Sequence, residues 1–202
     1  MNYRMKDLLR RYGVWGIVQR CWTKGWSLLG IRVERMHLLA HMLTESEVNL
    51  PEYRELTLED FQAHREEDPE WFTPLKMKKL KRYFIVPGNR AFGCFDGENL
   101  IAYGWISEQY LGYSNRPLQA CDGYLWDDYT HPDYRGCGWH LKMIQIREKE
   151  LMRSGKVRAL SVVANFNRAS RRGYQRAGYT LLERYRYGSR WGKPFLKRHY
   201  GA

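Results

Sequence analysis

The second half of the chain alternates between two hydrophobic periods, and each predicts an element. In residues 90–107, RAFGCFDGENLIAYGWIS, two apolar runs flank Asp96–Gly97, a pair favoured in tight turns, which predicts a β-hairpin. Residues 118–130, LQACDGYLWDDYT, read as a further strand, long and aromatic. Residues 138–155 put Trp139, Met143 and Ile146 on one helical face and stop at Gly155. ALSVVAN (159–165) is β-branched and reads as a buried strand. A helix over 167–178 and a strand over 179–188 follow.

Earlier segments are less regular. YRELTLEDF (53–61) predicts a short strand and then a helix start, with Thr57 as N-cap and Asp60 three residues on. A helical stretch follows around 71–83. RVERMHLLAHMLT (32–44) fits a strand or a helix. On a helix, His37 and His41 would have zinc-like spacing, but there is no neighbouring Glu and no third ligand, so no metal site is expected. Residues 4–29 are apolar with interspersed cations. Trp15, Trp22 and Trp26 recur at helical spacing around Val18, while Gly13, Gly16 and Gly25 argue against one unbroken helix. Two readings stand for this arm: packing on the main domain or on a second copy in a homodimer, or lying on an anionic membrane surface as a peripheral contact. The expected domains are 1–50, a basic, Trp-rich helical arm with a leading strand, and 51–202, the main domain. The element order predicts an α/β or α+β sheet with a βαβα unit.

Composition narrows the setting. The 202 residues are 44% hydrophobic and 28% charged, enough for a real core and unlike a disordered chain. No run reaches the ~18–20 apolar residues of a membrane span, and no secretory signal is visible. The four cysteines lack metal spacing and contain no CxxC, which suggests free thiols and a cytoplasmic setting. A net charge of +12 favours an anionic partner. The charge is diffuse, so nucleic acid is not the expected one.

The candidate chemistry lies in YRGCGWHLKM (134–143). Two glycines stand between a strand and a helix, where backbone N–H groups lack internal partners and the helix dipole favours an anion such as a pyrophosphate. The loop is neither a P-loop nor a dinucleotide fingerprint, since Leu141 stands where GxGxxG needs glycine. A plain strand-to-helix turn explains the loop equally well.

A second motif adds to the first. HPDYRGCGWH (131–140) resembles the acyl-CoA loop Gln/Arg-x-x-Gly-x-Gly/Ala of the GNAT superfamily of N-acetyltransferases, with Arg135 and Gly138 in place and His140 at the final position. NRASRRGYQRAGY (167–179) resembles that family's second signature through Asn167, Ser170, Tyr174, Gly178 and Tyr179. The resemblance covers roughly residues 53–188 and leaves 1–50 outside.

The resemblance implies a mixed, largely antiparallel sheet with splayed central strands and flanking helices, preceded by the helical arm. It implies acetyl-CoA as donor, with its pantetheine arm beside the splayed strands. Arg135, Gly136, Cys137, Gly138, Trp139 and His140 would hold the pyrophosphate, with Asn167 and Ser170 also on the cofactor. An amine would attack the thioester directly. Tyr174 takes the family's usual acid position; its alternative is a packed helix tyrosine. Asp127 or Asp128 would serve as base. Strand neighbours face opposite sides, so only one can face the site, and strand-end solvation is the alternative for both. Glu108 is a third carboxylate candidate.

Cys137 is a bystander thiol or, with no His–Asp support, a nucleophile. His140 is a base, a phosphate contact or neither. The acceptor is a small-molecule or peptide amine. Tyr103, Trp105, Tyr110, Tyr113 and Trp126 are candidates to wall a pocket for a sugar, an aromatic amine or a peptide, and the arm suits a surface-polysaccharide precursor. The alternative function is a non-catalytic CoA-sensing or partner-binding module.

Overall fold

A computed structural model of the protein describes residues 31–45, 49–112, 116–190 and 193–199, together with Val14 and Val18. The rest of the basic arm, with Trp15, Trp22 and Trp26, lies outside the described residues, as do Cys21 and Tyr113. The chain forms two compact units, Met42–Ala159 and a second made of Met1–His41 with Leu160–Ala202.

The first unit is built on four antiparallel strands in the order β7-β4-β3-β2. These are β2 (Arg54–Glu55), β3 (Asn89–Asp96), β4 (Asn99–Ser107) and β7 (Asp122–Thr130). The β3–β4 hairpin turns at Asp96–Gly97 as the sequence predicts, with Gly97 at φ 58°. Helix α1 (Leu58–Ala63) opens on the anticipated capping box. The Asp60 N–H donates to the Thr57 hydroxyl, and the Thr57 N–H donates to the Asp60 carboxylate. Helix α2 (Pro74–Ile85) begins later than expected, because Thr73 caps it and Pro74 fits its first turn. Helix α3 (Trp139–Arg153) ends just before Gly155, at φ 76°. A two-stranded ribbon, β5 (Tyr110–Leu111) with β6 (Arg116–Pro117), completes this unit.

The second unit orders its strands β10-β9-β1-β8. Residues 31–42 resolve as strand β1 (Ile31–Met42), so His37 and His41 do not have helical spacing. β1 pairs antiparallel with β9 (Thr180–Arg190), which pairs in turn with β10 (Lys193–His199), a strand not anticipated after residue 188. β8 (Arg158–Ala164) and helix α4 (Arg168–Arg176) complete the unit. The fold class is therefore as expected: a mixed α/β protein with a mostly antiparallel sheet and flanking helices. No helix among the described residues is long and apolar enough to cross a membrane.

The core of the first unit explains why its site is rigid. β4 is buried along nearly its whole length, and alternation sends Tyr103 and Trp105 toward α1 and α2. There they join Phe61, Phe72, Met77 and Leu80, each contributing roughly 1.5–3 kcal/mol by burial. Tyr103 and Trp105 are 0% exposed. Both are covered in this structure, Tyr103 in part by the Lys76 ammonium 5.8 Å over its ring, and the open aromatic positions are partly buried Trp126 and exposed Tyr110.

Candidate active site

The site grows from an irregularity in β7. Tyr103 pairs with Tyr129 and Trp105 with Trp126, so two steps on β4 face three on β7. The extra residue makes a β-bulge, and Asp127 takes φ 52°, a left-handed conformation that aspartate tolerates better than most residues. The bulge turns Trp126 and Asp127 toward the same face, where Trp126 meets Trp105 and Tyr83 and Asp127 meets α2. Asp128 turns to the other face, against α3. The two carboxylates thus diverge, as expected for neighbours on a strand.

Each carboxylate has a cation. Lys76 of α2 reaches Asp127, with Nζ 2.7 Å from Oδ1 and 2.5 Å from Oδ2. Asp128 accepts from Arg147 of α3, and its other oxygen lies 3.6 Å from His140 Nε2. Arg147 is 0% exposed. Its guanidinium also donates to the carbonyls of Met143 at 2.9 Å and of Trp105 and Trp126 at 3.3 Å. It thereby ties both strands of the bulge to α3. Gly104, opposite the bulge, admits it: a Cβ there would stand 2.6 Å from the guanidinium carbon. Sequence reasoning missed Arg147 and Lys76. The signal for Arg147 was a cation among the buried positions Met143, Ile144 and Ile146, matched by a glycine inside a buried strand.

Burial raises the Tyr103 phenol well above its usual range, and the Asp127 charge adds to the effect. Tyr103 therefore stays protonated and accepts from Trp71 Nε1 at 3.1 Å. The indole N–H groups of Trp105 and Trp126 are buried with no hydrogen-bond partner in the structure. Tyr83 meets the Trp126 ring edge-to-face at 4.4 Å.

β7 leads through a short turn, Pro132–Tyr134, into the glycine loop. The turn is pinned by the His131 N–H, which donates to the Ile101 carbonyl at 2.7 Å, and by the Tyr134 hydroxyl on Asp96 at 2.5 Å. Arg135 Nε donates back to the Thr130 carbonyl at 3.0 Å. Gly138 is the N-cap of α3 at φ 83°, with no side-chain cap, and no atom lies within 4 Å of where its Cβ would be. A helix start without a side-chain cap, with room beside its glycine, fits a pyrophosphate. Cys137 is exposed on the same loop, and Lys142 lies 4.3 Å over the Trp139 ring. Glu108 is not with the bulge carboxylates; its oxygen is 3.9 Å from Lys156 Nζ.

In the second unit, Asn167 caps α4, its side-chain oxygen accepting from the Ser170 N–H at 3.2 Å. Tyr174 is fully buried, its ring 4.9 Å from that of Tyr179 at 75°. Gly178 closes the helix at φ 88°, beside His41.

A mixed, mostly antiparallel sheet with flanking helices is the fold that the resemblance of residues 131–140 and 167–179 implies. The family model described as Acetyltransferase (GNAT) family matches residues 50–179, well over half of the chain, and the protein belongs to that family. No curated protein matches the sequence. Among solved structures, a GNAT-family acetyltransferase from Colwellia psychrerythraea aligns with TM-score 0.57 and 12% identity, covering 83% of this chain and 56% of its own. A Drosophila protein aligns at TM-score 0.56 and 16% identity, over 88% and 58%. A GNAT-family acetyltransferase from Novosphingobium aromaticivorans aligns at TM-score 0.53 and 15% identity, over 84% and 67%. At such identities the likeness is one of fold. The chain spans little more than half the length of the first two.

Proposed function

We propose that the protein is an acyl-CoA-dependent N-acetyltransferase that delivers acetyl to a primary amine by direct attack on the thioester. One observation carries the reading: a bulge bearing two carboxylates leads into a helix whose N-cap is a left-handed glycine without a side-chain cap. Acetyl-CoA supplies the activated acyl group. The loop of residues 135–140 would hold its pyrophosphate through helix-terminal N–H groups. His140 does not oppose this, because its ring is turned to Asp128, 3.6 Å away. Asn167 and Ser170 are assigned to the cofactor arm.

The amine arrives as an ammonium and must lose a proton before it can attack. Asp127 is the better base. Asp128 is locked to a fully buried arginine, whereas Asp127 is held by a partly exposed lysine. The resemblance alone assigns Tyr174 the return of a proton to the departing thiolate; its full burial against Tyr179 supports the packed-tyrosine alternative. The basic arm, residues 4–29, would bring such an enzyme to an anionic surface or to a second copy. Liposome sedimentation with and without residues 1–30 tests this, and equal partitioning counts against the surface role.

A second reading has its own support. Both bulge carboxylates already face cations, which suits a CoA-binding module without catalysis. Mass spectrometry of a panel of amines incubated with protein and acetyl-CoA separates the two. The enzyme reading expects an acetylated product that is lost on Asp127→Asn while cofactor binding persists. Cofactor binding with no product from any amine favours the module.

A further inference from the structure

Lys76 sits where a helix does not favour a cation. It lies in the first turn of α2, which has no acidic residue, and the N-terminal end of the dipole repels positive charge. Its ammonium reaches instead across 51 residues of sequence to chelate Asp127, at 2.5 Å and 2.7 Å. The same ammonium stands 5.6 Å from the ring centre of Trp71 and 5.8 Å from that of Tyr103, within the range of cation–π attraction.

The walls around it are fixed. Trp71 Nε1 donates to the Tyr103 hydroxyl at 3.1 Å, and Tyr103 stacks on Tyr129 at 5.2 Å. Asp68 accepts from the Tyr129 hydroxyl at 2.6 Å and from the Trp71 N–H at 3.2 Å. Only the lysine has long, flexible freedom. A rigid carboxylate with two rigid rings recognises an organic ammonium, and a lysine tip occupies it. The pair is largely shielded, its side chains 15% and 21% exposed, so removing the lysine leaves Asp127 short of a cation that a diffusible ammonium with the same donors can supply.

The geometry points to Trp71, Tyr103 and Asp127 as the subsite for the acceptor's ammonium, with Lys76 as its resident surrogate, displaced when the acceptor enters. The ligand class is a primary ammonium on an unbranched carbon stem. Asp127 takes N–H donors at both oxygens, which a quaternary cation cannot supply. The acceptor's acetylation rests on the N-acetyltransferase reading, whereas the ammonium site does not.

The test uses the full chain in two arms. In the first, without acetyl-CoA, n-propylammonium and tetramethylammonium are titrated against tryptophan fluorescence in wild type, Lys76→Ala, and Lys76→Ala with Asp127→Asn, circular dichroism verifying each fold. Lys76→Ala is expected to bind propylammonium at least about tenfold more tightly than wild type, and to prefer it over tetramethylammonium. The added Asp127→Asn is expected to remove that gain. Equal binding in wild type and Lys76→Ala, or no preference for the primary ammonium, overturns the site. In the second arm, with acetyl-CoA, Lys76→Met retains the stem and is expected to lower the amine KM severalfold. If the first arm succeeds and no variant acetylates any amine, the enzyme reading fails and the ammonium site stands. If acetylation occurs with a KM indifferent to both lysine variants, the site fails and the enzyme stands.

Discussion

Asp127 and Asp128 are adjacent in sequence, carry the same group and each meet a cation, yet their surroundings make them unlike. Asp128 faces a guanidinium that is 0% exposed, spreads its donors over three backbone carbonyls and joins β4, β7 and α3. Asp127 faces a single ammonium on the tip of a flexible side chain. One pair is part of the frame and the other can open. The lesson is that the cation's burial and its further partners, not the carboxylate, decide whether an ion pair is structural or exchangeable.

The largest expected effect breaks the frame pair. Arg147→Met strands Asp128 and the carbonyls of Trp105 and Trp126, and should cost about 3–5 kcal/mol in urea denaturation. Lys76→Ala, the matching change in the other pair, should cost less, about 1–3 kcal/mol, because its lysine is shielded but not fully buried. Equal losses would erase the distinction. Next is Gly104→Ala, whose Cβ would lie 2.6 Å from the guanidinium carbon, closer than real contacts allow. Overpacking there should destabilise by about 1–3 kcal/mol, and the loss should shrink when combined with Arg147→Met.

A smaller change separates thiols. Burial pushes the Cys94 thiol up to about 11, whereas Cys121 and Cys137 are exposed. Iodoacetamide at neutral pH should label Cys121 and Cys137 and leave Cys94 unmodified until the chain unfolds.

The smallest effect lies in the second unit. Burial, aided by Arg171 and Arg184, holds the His37 imidazole below its usual 6.5. Between those two pKa values the unfolded chain binds more protons than the folded one, so stability rises with pH there. The contribution should be full above about 6.5, decline as pH falls toward the depressed value and then level off. His37→Gln should flatten that slope in denaturant midpoints measured from pH 5 to 7.

Where short-range chemistry decides an element, the sequence shows it. Asp96–Gly97 predicts the hairpin, Thr57 and Asp60 predict the capping box, and Gly155 predicts the end of α3. The glycine loop was legible because glycine serves a helix start, whereas Asn167, which caps α4, stood out only through the family resemblance. The bulge was not, since its extra residue is defined only by the register against β4. Lys76 carries no local sign of its role, because its partner lies on a distant strand. β10 escaped because its basic residues do not read as a strand until β9 supplies a partner edge. The readings of residues 4–29 stay with the sequence.

The central claim is that the glycine-capped start of α3 holds acetyl-CoA. Calorimetric titration of wild type and Gly138→Val with acetyl-CoA tests it most directly. Valine at φ 83° is strained, and its side chain would enter the open space at the helix start. Micromolar binding is expected for wild type, weakened at least about tenfold in a variant that circular dichroism shows to be folded. No heat with wild type at millimolar acetyl-CoA, or equal affinity in both proteins, would contradict it.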